Sequence, residues 1–565
     1  MQLLYIWIKK YACLENANLN FCENPRFEFN ENNKKLNIIK NETNISIFPL
    51  QKEQFDEPNC IDNISIIVGS NGAGKTSICK FLYDLYFYHA KISNYIIIYK
   101  INGKKYITSD YQLNISELNI FELIPTDLKH CPFNMLYYSP IYSNMHQFQT
   151  MADVNSLFED TSTSFTLKKD IETYKNETTG VEYTDNTNPF MAHQILDNNR
   201  FAGFLSHFLH IKSNVNLGIT LPEYVYFTYD RNAFNLFEQE CNTNDLESII
   251  YTELSENINQ KNNKDFFIDT IALEEYCTFC RIFLLGNKTG HGEILQKEYQ
   301  SILNEHNFKD KEKSVTNHIL EIFSDFSENF REAGIWIRFI EELKALDITH
   351  YERGYVKFRI KDESQKWCFF NALYRRMTFM YEFGEFYFYP LLSTGEYSEL
   401  QIYSRLLEGI SEIQKNNKNQ NFILFLDESE ITLHPKLEQH LIKNIIIFLN
   451  ELYIQQNLKF HIIFATHSPI ILSDIPKNNV IFLRKDENQT KTVVTDLAKN
   501  NNTFAASIFE LYKESFFIDT TTTGSFAKEI INKAIESDNK ELKKYIINSI
   551  GDKLLKGLIN GEYQK

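Results

Sequence analysis

Nowhere in these 565 residues does an unbroken apolar run approach the roughly 18 residues that a membrane-spanning helix needs. Residues 3–8 are apolar but precede Lys9 and Lys10, the reverse of the order in a secretory leader. Cysteine is scarce: nine residues are too few for a disulfide scaffold, and the odd number leaves at least one thiol unpaired. Cys277 and Cys280 form the one CxxC, and without a second pair nearby it reads as two buried thiols on a helix rather than a zinc or redox site. Excess positive charge is absent too. With 58 Lys+Arg against 74 Asp+Glu the net charge is −16, so any binding of nucleic acid has to use a local patch. The expectation is a cytoplasmic protein that makes no contact with membranes.

What is present is an ordinary globular balance, 43% apolar and 23% charged, which argues against wholesale disorder. At about 150 residues per domain the length allows roughly three to four domains, or one large domain with insertions. No internal repeat is visible, and no segment sustains heptads long enough for an extended coiled coil.

Residues 1–8 are rich in β-formers and read as a strand, with Phe27 and Phe29 beginning or flanking another. The run Ile64-Ser65-Ile66-Ile67-Val68 is nearly continuous in apolar residues and stops at a glycine, the pattern of a parallel strand covered on both faces. Residues 76–88 follow with helical spacing, and Asn102-Gly103 marks a hairpin turn between strands at 95–99 and 104–108. From about 150 to 385 interrupted helical segments alternate with Asn-, Lys- and Thr-rich stretches, which predicts a largely helical insertion. Strands return at 355–360 and 386–389. An apolar strand at 422–426, a helix at 435–455 and an apolar strand at 461–465 then imply a parallel sheet with a crossover. Residues 480–483 and 492–494 read as edge strands, and helices near 525–537 and 540–559 follow.

Gly69-Ser70-Asn71-Gly72-Ala73-Gly74-Lys75-Thr76 satisfies G-x-x-x-x-G-K-[ST] between a buried strand and a helix. Its glycines let backbone N–H groups turn around phosphate oxygens at a helix N-terminus, Lys75 reaches the β- and γ-phosphates, and the Thr76 hydroxyl ligates Mg²⁺. The strand at 422–426 ends in Asp427 and Glu428. These two acids are placed to hold the metal through water (Asp427) and to orient or deprotonate the attacking water (Glu428). One strand later, His467 is set to touch the transferring phosphoryl group or the water. ATP and Mg²⁺ are therefore the expected cofactors.

Leu392-Ser393-Thr394-Gly395-Glu396 precedes a helical run. Taken with the 69–76 loop, the Asp427-Glu428 strand end, the continuation Ser429-Glu430-Ile431-Thr432-Leu433-His434-Pro435 and His467, it makes the sequence resemble ABC-type ATPases of the RecF, SMC and OLD-like group. The resemblance covers about 1–148 and 385–565. It implies an α/β fold: an ATPase head with a mixed, parallel-containing sheet split between 1–148 and 385–565, with 149–384 as an insertion that senses DNA or holds a partner. It further implies a head-to-tail homodimer, in which Ser393, Gly395 and Glu396 of one copy close the nucleotide site of the other. The same four residues, 393–396, also fit an ordinary helix start capped by Ser393 with an acid in the first turn. Either Asn144 or Gln147 would serve as the family's Q-loop residue.

OLD-type proteins append a nuclease that needs a DxD pair, and no DxD follows His467, so no nuclease activity is expected of this chain. The closing pattern resembles stand-alone ATPases of Septu-type and retron-associated anti-phage systems, which act beside a separate nuclease. The readings are an ATP-driven clamp regulating such an effector, an ATP-bound scaffold restraining a toxin with little turnover, and RecF-like repair. For nucleic acid, residues 351–377 hold Arg353, Lys357, Arg359, Lys361, Lys366, Arg375 and Arg376 against three acids, with aromatics interleaved as base stacking requires. A solvated strand edge with its aromatics turned to the core is the other reading of that stretch.

Overall fold

In the computed structural model the residues described are most of 1–142, separate stretches between 157 and 359 (chiefly 157–177, 193–205, 223–229, 268–276, 313–327 and 351–359), and most of 384–551. Strands β1 (Gln2–Tyr11) and β2 (Leu14–Asn20) form an antiparallel hairpin, and β3 (Arg26–Asn30) with β4 (Lys35–Ile39) makes a separate ribbon. The expectation at 1–8 and at Phe27 and Phe29 thus finds strands, with β2 unforeseen between them. Next come β5 (Ile61–Gly69) and helix α1 (Lys75–Tyr86). β6 (Tyr95–Ile101) pairs with β7 (Lys104–Ser109) around Asn102-Gly103, where both turn residues have positive φ, 49° and 81°. β8 (Leu123–Pro125), β9 (Asn134–Tyr138) and β10 (Phe158–Asp160) lead to α2 (Thr163–Glu177).

Between 149 and 384 the described residues include helices, α2 and α3 (Val315–Ser327) among them, but also strands. β10 pairs in parallel with β9, so the sheet of the N-terminal region continues beyond residue 148. β11 (Tyr224–Tyr229), β12 (Tyr351–Glu352), β13 (Tyr355–Arg359) and β14 (Gly384–Tyr389) form a four-stranded antiparallel sheet in the order β12-β13-β11-β14. β11 escaped the sequence reading because Tyr-Val-Tyr-Phe-Thr-Tyr is aromatic at four of its six positions and shows no polar-apolar alternation.

After β14 come α4 (Thr394–Asn416), β15 (Asn421–Asp427), α5 (Pro435–Glu438), α6 (Leu441–Tyr453), β16 (Lys459–Thr466), α7 (Pro469–Ser473), β17 (Val480–Lys485), β18 (Thr492–Thr495), α8 (Ile508–Ser515), α9 (Ser525–Glu536) and α10 (Lys540–Ser549). The helix expected at 435–455 is divided at Gln439 and His440. The fold is α/β. Among the described residues its main sheet has twelve strands in the order β10-β9-β15-β16-β5-β17-β18-β2-β1-β6-β7-β8, and from β10 to β17 every neighbouring pair is parallel. β17 and β18, read from the sequence as edge strands, are interior instead, because the β1–β2 hairpin adds beyond β18 and carries the sheet onward.

The central strands are apolar on both faces because both are covered. Ile64, Ile66, Leu424, Leu426, Ile462 and Phe464 join a core beneath α4 and α6, while Ile67, Ile423, Phe425, Ile463 and Ala465 join the core under α1. Among the described residues no helix is long and apolar enough to cross a membrane.

α4 lies against β9 and β10 at Gly409, where a Cβ would come within 2.3 Å of Leu136 Cδ1 and 2.8 Å of Thr161 Cγ2. Neither contact leaves room for a side chain. Gly409→Leu should destabilise the protein by about 1–3 kcal/mol through overpacking, read as a lower thermal midpoint; an unchanged midpoint would mean that α4 does not press on the sheet there.

Candidate functional site

Three neighbouring parallel strands, β15, β16 and β5, end at the same edge of the sheet, the edge at which ligands of open α/β sheets bind. β5 runs into the 69–76 loop. Asn71 and Gly72 at its tip are exposed, Ala73 N–H bonds to Ser70 O at 3.1 Å, and Gly74 caps α1 at φ 91°, a left-handed conformation that glycine adopts without steric cost. No side chain caps α1, so its first N–H groups remain available to an anion. The loop is braced from below. Thr492 Oγ1 donates to Ala73 O at 2.9 Å, and a Cβ on Gly74 would meet Cys13 Sγ at 2.6 Å.

Lys75 is buried, with Nζ 2.5 Å from His467 Nε2 and 3.4 Å from Gly69 O. Burial lowers the Lys75 pKa, opposed by the charges of Glu428, Asp427 and Glu430. Burial and then the Lys75 charge lower that of His467, favouring a neutral ring whose Nε2 accepts from the ammonium. Thr76 Oγ1 donates to Asp427 Oδ2 at 2.6 Å, and Tyr137 OH donates to the same oxygen at 3.0 Å. Burial raises the pKa of Asp427, while these two hydrogen bonds favour its ionised form.

Glu428 has φ 50°, a region costly for a residue with a Cβ, and its N–H is tied to Ala465 O at 2.8 Å. Its Oε1 lies 3.5 Å from His467 Nε2. The structure therefore gathers Lys75, Thr76, Asp427, Glu428 and His467 into one cluster. A hydroxyl beside a carboxylate is a donor set suited to a hard divalent cation such as Mg²⁺.

Ser393, Gly395 and Glu396 stand at the start of α4. Ser393 is the N-cap in a reciprocal capping box: Glu396 N–H reaches Ser393 Oγ at 3.3 Å, and Ser393 N–H reaches Glu396 Oε2 at 2.8 Å. Ser393 and Leu391 are exposed, and Gly395 packs against the 432–437 segment, with Thr432 O, His434 N and Leu437 Cδ1 around it. Gly395 thus meets the segment that follows Glu428, while Ser393 and Glu396 bond to each other.

Of the basic patch, Lys357 and Arg359 lie on β13. Arg353, Arg375 and Arg376, the alternatives Asn144 and Gln147, and the pair Cys277 and Cys280 all lie outside the described residues.

Sequence reasoning missed three groups. Tyr137 was hidden in a buried strand, with only its place near the end of β9 to mark it. Thr466 and Glu430 are joined by a hydrogen bond from the hydroxyl to the carboxylate, and neither stood out alone.

Burial pushes the Glu430 pKa up to about 7 from 4.5. A raised folded-state pKa means stability that is complete below the unfolded value and lost as pH rises through the folded one. Between pH 4.5 and 8, Glu430→Gln should gain on the wild type by on the order of 3 kcal/mol, read from urea unfolding at each pH; a constant difference would mean that the acid ionises in the fold at no cost.

No family model matches the chain and no curated protein matches it, so the chemistry of this site rests on its own atoms.

Proposed function

We propose that this chain binds and hydrolyses ATP, and that it does so in a head-to-tail homodimer. The observation that carries the reading is the convergence of Lys75, the Thr76–Asp427 pair, Glu428 and His467 at the ends of three adjacent parallel strands. The N–H groups of the 69–76 loop and of the α1 start cradle the phosphates, and Lys75, displaced from His467, pairs with the β- and γ-oxygens. Mg²⁺, held by Thr76 and Asp427, would neutralise charge on the phosphates when bound. Glu428 takes a proton from the attacking water as its oxygen bonds to the γ-phosphorus and the bond to the β-phosphate oxygen breaks. His467, released from Lys75, hydrogen-bonds the transferring group or the attacking water.

The exposed Ser393 and Leu391 support closure by a second copy, with Ser393 and Gly395 facing the partner's γ-phosphate. Regulation of a separate nuclease or toxin effector in anti-phage defence is carried by the resemblance of the closing pattern to Septu-type and retron-associated ATPases.

A nucleic-acid surface is supported by the register of the four-stranded sheet. Arg359 lies opposite Tyr224 and Lys357 opposite Tyr226, while Tyr389 and Tyr387 pair with the same two tyrosines from the other side. Paired residues share a face of a pleated sheet. Tyr387 and Tyr389 are 42% and 54% exposed there, and Phe388 between them is buried in the core. Exposed tyrosines in a sheet whose register pairs tyrosine with Lys357 and Arg359 suit a single strand whose bases stack.

Lys75→Ala should abolish ATP binding. Glu428→Gln should bind ATP, stop phosphate release and accumulate dimer in sedimentation; normal turnover by that variant would remove Glu428 from its assigned role. Wild-type turnover no higher than that of Lys75→Ala, with and without DNA, would favour the scaffold reading instead. Tyr387→Ala with Tyr389→Ala should weaken anisotropy-measured binding of a labelled single-stranded oligonucleotide by about 10-fold or more, since each stacked base contributes about 1–3 kcal/mol. Equal affinity for the variant would assign the tyrosine face to another partner.

A further inference from the structure

After Glu428 the chain turns sharply. Ile431 N–H bonds to Glu428 O at 3.1 Å and Leu433 N–H to Glu430 O at 2.8 Å, and the turn leaves Ile431 exposed while Glu430 points inward. A buried carboxylate is costly unless its oxygens are used. Glu430 Oε1 accepts from the Thr466 hydroxyl. Among the described residues Oε2 has no hydrogen-bond partner. The same Thr466 hydroxyl accepts from Ser468 N–H at 2.8 Å. Residues 466 and 468, on either side of His467, are therefore tied, directly or through one hydroxyl, to a single carboxylate.

We infer that Glu430 is a positioning residue for His467, holding the corner at 466–468 so that the imidazole stays against Lys75 and Glu428. The inference rests on the ATPase reading of that cluster. The group that Glu430 meets is the Thr466 hydroxyl at the end of β16, with the charges of Glu438 on α5 and of Lys75 at the start of α1 acting at longer range. The corner needs hydrogen-bond acceptors and not the charge. An amide oxygen can serve where an apolar side chain of similar size cannot.

Glu430→Gln, Glu430→Leu and Thr466→Val decide the matter with MgATP as substrate. Glu430→Gln should keep wild-type turnover. Glu430→Leu and Thr466→Val should lose turnover by about 10-fold to about 100-fold, the scale on which a displaced catalytic group is felt, with the KM for ATP unchanged. The double variant should be no worse than the poorer single one, as expected for two members of one unit. A role in stability alone would lower the thermal midpoint without this split between kcat and KM and without rescue by the amide.

Hydrogen–deuterium exchange of the peptide covering 466–469, followed without nucleotide, reads the corner directly. Exchange should be faster in the leucine variant and unchanged in the glutamine one. Wild-type exchange in Glu430→Leu, or equal impairment of Glu430→Gln and Glu430→Leu, overturns the inference. If the wild type hydrolyses no ATP, the ATPase reading falls, and the exchange comparison still decides whether Glu430 holds this corner.

Discussion

The hydrogen bond from Thr76 to Asp427 joins residues 351 apart in the chain, and the candidate site depends on it. It forms because β5, β16 and β15 lie side by side in parallel, so that one strand ends in a glycine-rich loop, the next in Thr466-His467 and the third in Asp427-Glu428 at a common level. Parallel pairing puts every strand's carboxyl end on one side. An antiparallel partner in place of β16 would have sent His467 to the far edge. The backbone strain at Glu428 belongs to the same junction: the strand turns off abruptly, and the bond to Ala465 O holds the turn.

Burial of charge is the second constraint. Lys75, Asp427 and Glu430 are all buried, and each has its pKa displaced by that burial toward the neutral form. Binding a polyanion would relieve Lys75, because a phosphate partner favours its charged state. Elsewhere burial is met by pairing. Arg200 bonds to both oxygens of Asp170 at 2.9 and 2.5 Å, to Asp197 at 3.0 Å and to Glu408 at 2.8 Å, and Arg405 bonds to Asp197 at 2.5 Å. Burial opposes ionisation of Asp170, yet hydrogen bonds from His193 and Arg200 hold its pKa down to about 2. Such a network adds little net stability, since desolvation offsets attraction. Its consequence is geometric, for it ties α2 and the helical residues near 200 to α4, the helix that begins at Ser393. Asp170, His193 and Asp197 are near enough to hold a cation, but their carboxylates already accept from Arg200, Arg405 and Gln401, and the guanidinium groups stand where a cation would.

Much of this site was legible locally. A glycine-rich loop must follow a strand and open a helix, and acids closing an apolar strand announce where it emerges, so Lys75, Thr76, Asp427, Glu428 and His467 could be read along the chain. Ser393 fits both a helix cap and a signature residue, and within one copy the structure displays the capping box. Tyr137 was not legible, and Glu430 was read only as part of the 429–435 continuation, without a role. A tyrosine in an aromatic-rich buried strand and a glutamate in a turn carry no local mark, and their meaning lies in partners distant in sequence or in the fold.

The sequence by itself determined which segments are strands and helices around the site and which side chains stand at their ends, because periodicity, turn residues and caps act over a few neighbours. The tertiary structure alone decided that β17 and β18 are interior, that β11 completes a second sheet, and that Tyr137, Thr466 and Glu430 reach the cluster. Strand order and side-chain partnership are set by packing between residues far apart in the chain, where no local pattern reports them.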